Sequence, residues 1–180
     1  IAYEMAQQLK AMGREVKMLA IFDTNVGHLN PPASRMNRYS KNITEAIMQA
    51  VFAIIFLLRD PRTMVRREKE VRMKDVRIAY HRIKAFLHIG KKEKFYIRYK
   101  LERQYKIAEK NYRIAPYDGP LQLFRCQKKL YYLDDFEYLG WRNYVKDIIV
   151  HDVPGDHNRL FSYPYYYTVA PALQACLDKI

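Results

Sequence analysis

Between Ala2 and Met12 the apolar side chains recur at Ala2, Met5, Ala6, Leu9 and Met12, a helical spacing that Gly13 ends. The pattern then changes. Within EVKMLAIFD, Met18 to Phe22 form a continuous apolar run that stops at Asp23, which predicts a strand covered on both faces, as in a parallel sheet. A loop rich in Thr, Asn, Gly and Pro follows from Thr24 to Pro32. Asn42 to Leu58, NITEAIMQAVFAIIFLL, opens with Asn42 or Thr44 as N-cap and continues as an apolar stretch broken by Gln49. That stretch is shorter than the roughly 18 to 20 apolar residues of a membrane span, so the expectation is a helix buried against protein or lining an apolar pocket. Val76, Ala79, Tyr80, Ile83 and Leu87 then mark an amphipathic helix. After the turn signal Tyr117-Asp118-Gly119-Pro120, LQLFRC (121–126) and the segment 147–153 read as strands. A closing helix carries Val169, Leu173, Leu177 and Ile180 on one stripe, and Pro171 places the start of regular helix near Ala170.

Helix, strand, long helical insertion, strand, strand, helix is an α/β order. The chain has 180 residues, 49% of them hydrophobic, which excludes disorder and allows one globular unit with a sizeable core. The N-terminus has no charged region followed by an apolar one, hence no secretory signal, and begins at the start of a helix without an initiator methionine, as a fragment would. Cys126 and Cys176 fit neither a zinc-ligand spacing nor a disulfide framework, and the expectation is reduced thiols in a cytoplasmic protein.

Charge is unevenly placed. From Arg59 to Arg113 there are 19 Lys and Arg against 7 Asp and Glu, a net of +12 out of +13 for the whole chain. Tyr80, Tyr96, Tyr99, Tyr105 and Tyr112 interleave with that charge, a combination that can bind nucleic acid through phosphates and stacking. No recognised nucleic-acid motif accompanies it, so a solvated basic helical face that attracts an acidic partner is the favoured reading.

Two groups carry candidate chemistry. Asp23 ends a strand of the kind whose carboxyl end lines the crevice of an α/β sheet, although from position alone a solvated turn aspartate is the commoner outcome. His157 sits in a tight polar loop, VPGDHNRLF, after the apolar run Ile148-Ile149-Val150. Of the other histidines, His28 is near Asp23 in a loop, His81 and His88 lie in the basic helices and His151 alternates within a strand. Each of these reads as structural or solvated.

Four stretches in order carry a resemblance: IAYEMAQQLKAMGREV, LAIFDT, PLQLFRC followed by LGW, and VPGDHNRLF. Together they resemble the C-terminal part of the type I thioesterase domains that end nonribosomal peptide and polyketide synthetases, an α/β-hydrolase family. The insertion between them matches in length and helical character only. The resemblance implies a partial α/β-hydrolase fold over 1–180: core helix and strand at 1–23, a helical lid at 24–119, and core strands, histidine loop and terminal helix at 120–180. The N-terminal strands and the nucleophile elbow are missing from it.

In such enzymes a serine attacks a thioester presented on the 4'-phosphopantetheine arm of an acyl or peptidyl carrier protein, here expected in cis upstream. The resemblance makes His157 the base and Asp23 the acid that orients it, in the chain order Ser, Asp, His. No cofactor bound directly by the chain, no metal and no membrane span are implied. The serine would lie about five residues ahead of Ile1, and one oxyanion-hole amide with it, so the chain alone is expected to be inactive. Ser34, Ser40 and Ser162 all lack a GxSxG setting. Asp134 and Asp135 compete for the acid's role, because many α/β-hydrolases place it after the later strand; a buried strand running directly into Asp23 favours Asp23. A different α/β-hydrolase acting on free acyl substrates, and a basic module for nucleic acid or anionic membrane, are the alternatives.

Overall fold

The computed structural model describes residues 1–29, 35–86 and 94–180. Ser34, Leu87 and His88 lie outside the described residues, as do the side chains of His28, His81, Tyr96 and Tyr99. The chain runs α1 (Ala2–Ala11), β1 (Leu19–Phe22), α2 (Arg35–Arg59), α3 (Pro61–Phe86), α4 (Lys94–Asn111), β2 (Leu121–Cys126), β3 (Ile148–Val153) and α5 (Tyr166–Leu177). It divides into two compact units: Ile1–Glu45 with Ile114–Ile180, and Ala46–Arg113. The second lies inside the 24–119 interval expected for the helical insertion.

In the first unit three parallel strands pair in the order β1-β2-β3. Leu19 lies opposite Leu121 and Phe22 opposite Phe124; on the other edge Leu121 faces Ile148 and Cys126 faces Val153. Successive side chains of a strand point to opposite faces, so this register sorts the core by parity. Leu19, Ile21, Leu121 and Leu123 pack on one face with Tyr3 and Ala6 of α1. Phe124, Cys126 and Val153 pack on the other with Val169 and Cys176 of α5. The central strand is thereby covered twice: four of its six residues, Leu121, Leu123, Phe124 and Cys126, are buried, and Gln122 and Arg125 are half-buried. Gly140 is required by a close approach: it has φ +83°, and a Cβ there would fall 2.6 Å from the Gly27 nitrogen.

Two expectations need correction. The closing helix starts at Tyr166, not near Ala170, and holds Pro171 inside it. Proline deprives the helix of one bond, to the carbonyl four residues back on Tyr167, and that residue is exposed, so water can satisfy the carbonyl. Its buried face is Val169, Ala172, Leu173 and Cys176, while Leu177 and Ile180 are exposed.

The second correction concerns the apolar helix. The 20-residue segment Ser40–Arg59 of α2 is, against the expectation of a stretch too short to span, long and apolar enough to cross a membrane by length and composition, a test that core helices also pass. The expected burial is not found: Ile43, Ile47, Val51, Ile54, Ile55, Leu57 and Leu58 are all exposed. Helix α2 ends at Asp60-Pro61, where the Asp60 carboxylate accepts a hydrogen bond from the Thr63 amide at 3.1 Å and Pro61 opens α3, an N-cap followed by the proline that a first helical position tolerates.

Candidate active site

Parallel strands place their carboxyl ends on one side of a sheet, and the loops that follow β1, β2 and β3 bring Asp23, Lys129 and His157 together there. Asp23 continues the ladder by donating its amide to the Phe124 carbonyl at 2.8 Å. Its φ of 44° lies in the left-handed region, a strained conformation for a residue that is not glycine, and it turns the side chain back over the sheet end. The Asp23 side chain is 5% exposed. Its Oδ1 accepts the Cys126 amide at 2.9 Å and an ion pair from the Lys129 Nζ. Its Oδ2 faces Nδ1 of His157 at 3.3 Å.

His157 Nδ1 is also 3.1 Å from the Asp23 carbonyl oxygen. Both neighbours are acceptors, so the proton belongs on Nδ1 and Nε2 is the ring's acceptor nitrogen. The loop that carries the ring is fixed from within. Asp156 is buried and accepts the Asn158 amide at 3.0 Å. Gly155 has φ +90° and passes under Tyr165, whose ring carbons would lie 2.9 to 3.0 Å from a Cβ. The His157 side chain keeps 54% of its surface exposed.

The acid and the imidazole shift each other's proton affinities in opposite directions. Burial pushes the Asp23 carboxyl up, but hydrogen bonds from His157, Lys129 and the Cys126 amide outweigh it and hold the group below its ordinary value. The hydrogen bond to Asp23 raises the His157 imidazole above its ordinary value, against partial burial and the repulsion of Lys129. Cys126, buried beside the acid, has its thiol pushed up to about 12, so it stays protonated and inert at neutral pH.

The structure leaves the other candidates elsewhere. Asp135 spends its carboxylate on its own loop, accepting the amides of Glu137 at 3.0 Å, Tyr138 at 2.9 Å and Gly140 at 2.9 Å. Asp134 pairs with Lys41 at 3.7 Å. His151 stacks on Phe124 and meets Gln122 Oε1 at 2.7 Å, with burial pulling its imidazole below the ordinary value. Ser40 lies in α2 and Ser162 in the turn after the histidine loop; among the described residues no serine hydroxyl bonds to His157. Both cysteines are free, and among the described residues no cluster of His, Cys, Asp and Glu could hold a metal ion. Lys129 is a neighbour of the acid that the sequence pattern does not reveal: it sits beside Lys128 in an ordinary polar turn, 106 positions from the acid it contacts.

No family profile matches the chain, and no curated protein matches it in sequence. Solved structures do. A four-domain nonribosomal peptide synthetase, holo-AB3403 bound to AMP and glycine, is similar at 24% identity and a TM-score of 0.58 over 97% of this chain and 13% of that one. The NocB thioesterase domain, in covalent complex with a fluorophosphonate nocardicin G analogue, is similar at 20% identity and a TM-score of 0.54 over 97% of this chain and 59% of that one. The Vlm2 thioesterase domain bound with a dodecadepsipeptide is similar at 19% identity and a TM-score of 0.51 over 96% of this chain and 60% of that one. The chain thus spans about three fifths of the isolated thioesterase domains it matches. At these identities the likeness is one of fold: the chain has the α/β-hydrolase fold of part of such a thioesterase domain.

Proposed function

We propose that this chain carries the base and the acid of a Ser-His-Asp thioesterase, and that the complete domain releases an acyl or peptidyl chain from the phosphopantetheine arm of a carrier protein linked in cis. The observation that carries this reading is the meeting of His157 Nδ1 with Asp23 Oδ2, at the carboxyl ends of parallel strands in a fold shared with thioesterase domains. A serine on residues preceding Ile1 is the nucleophile in this reading. His157 Nε2 takes the serine proton as Oγ attacks the thioester carbonyl; the tetrahedral intermediate expels the pantetheine sulfur, which leaves as the thiol with that proton. Water, or a hydroxyl or amine of the chain itself, then attacks the ester while His157 removes its proton; the second tetrahedral intermediate breaks its bond to the serine Oγ, which takes that proton back and frees the product. Asp23 holds the tautomer and stabilises the imidazolium that forms at each step.

In this reading the helical insertion, 24–119, is the lid for the acyl chain. The exposed apolar residues of α2 supply a surface suited to an acyl chain, and the basic excess supplies one suited to an acidic carrier protein.

The test uses the full-length domain, with the residues encoded before Ile1, and a carrier protein loaded with a radiolabelled acyl group. Asp23→Asn is expected to lower turnover by about four orders of magnitude, as loss of a triad acid does elsewhere. Wild-type kcat/KM is expected to rise with pH through a value above 6.5, because the base works neutral and Asp23 raises its proton affinity. Activity on free esters with none on the loaded carrier would instead assign an esterase or acyltransferase.

A further inference from the structure

Lys129 has no part in the chemistry of the proposed triad, yet it pairs with the acid of the site. Its side chain is only 12% exposed, against 59% for Lys17 in a surface pair with Glu15. An ammonium is taken out of water at a cost, and an oriented partner is what compensates for it. Here the partner is Oδ1 of Asp23, which the Cys126 amide also reaches. Two donors on Oδ1 stop the carboxyl group from turning about its Cβ–Cγ bond, and the remaining oxygen, Oδ2, points at His157.

The backbone ties the lysine to the histidine loop. The Gln127 amide donates to the Val153 carbonyl at 2.9 Å and the Lys128 amide to the Gly155 carbonyl at 3.0 Å. The turn that delivers Lys129 is therefore stitched onto the turn that delivers His157, and both side chains reach the same carboxylate. We propose that Lys129 is a positioning residue for the acid–base pair: it anchors Oδ1 of Asp23 so that Oδ2 is held toward Nδ1 of His157. The proposal rests on the triad reading above and adds a fourth residue to it.

The same contact sets a charge. The titratable groups beside this pair are the buried Cys126 thiol and Lys129, from β2 and its turn; Asp156, buried next to His157 in the chain, lies near the Cys126 thiol. Among them Lys129 is the cation, and it partly offsets the carboxylate's pull on the imidazole proton. Without it, His157 holds its proton to higher pH, and the enzyme needs more alkaline solution to present a neutral base.

The experiment measures kcat, KM and the pH dependence of kcat/KM for the full-length domain on the loaded carrier protein, with Lys129→Met, Lys129→Gln and Lys129→Arg. Lys129→Met is expected to lower kcat about 10- to 100-fold with little change in KM, and to move the acid limb of the profile upward. Lys129→Arg, which keeps the charge, is expected to restore the limb. Lys129→Gln keeps a donor without the charge and reads the same limb should the methionine variant fail to fold. Wild-type kcat and an unmoved limb in the folded variants, beside inactive His157→Ala and Asp23→Asn, would overturn the role of Lys129 alone. Full activity in His157→Ala and Asp23→Asn would overturn the triad reading itself.

Discussion

The sheet of the first unit and the helices of the second use the same side chains to opposite ends. Phe124, Leu121 and Leu123 have no exposed surface, because β2 receives α1 on one face and α5 on the other. In α2, Ile54 is 60% exposed and Leu58 78%, although the stretch around them is as apolar as any strand. The difference teaches that an apolar run reports burial only when neighbouring elements supply its cover. It also separates the tasks: Asp23, Lys129 and His157 all hang from the sheet that is covered twice, where packing can hold a charged group to within a bond's reach.

Substitutions in the two regions can sharpen that contrast or break it. The largest effect is expected for Phe124→Ala, which empties a fully enclosed site and should cost about 3 to 5 kcal/mol in denaturant unfolding of the full-length domain. Next is Gly155→Ala, where a positive φ and the Tyr165 ring together should cost about 1 to 3 kcal/mol and disorder the histidine loop, seen as lost activity alongside lost stability. Asp135→Ala removes the acceptor for three amides and should cost about 1 kcal/mol, with turnover of the folded enzyme nearly unchanged. Ile54→Ser should change stability by no more than about 0.5 kcal/mol, since the side chain already faces water. A cost several times larger at Ile54 would mean that the apolar face of α2 is covered in the full-length domain, and the contrast between the two regions would fail.

Much of the sheet is legible in the sequence. LQLFRC forms the strand with the bounds its composition suggests, because the turn signal Tyr117-Asp118-Gly119-Pro120 sets its start, and the apolar run ending at Asp23 forms another. The exposure of α2 is not legible, since apolar composition states a preference and not the presence of a partner. Nor is the early start of α5, which the neighbourhood of Pro171 obscures. The pairing of Asp23 with His157 was within reach of the family resemblance, as both lie at strand ends. Lys129 was not: its place depends on two amides that stitch adjacent turns, and nothing in Gln127-Lys128-Lys129 marks one lysine over the other.

The central claim, that Asp23 acts through His157, is tested most directly by a double-mutant cycle on acyl release from the loaded carrier protein. Groups that act as one unit are strongly non-additive. The account predicts that Asp23→Asn added to His157→Ala lowers turnover by no more than about threefold beyond His157→Ala alone. Losses that multiply, each substitution exacting its full cost in the presence of the other, would contradict it.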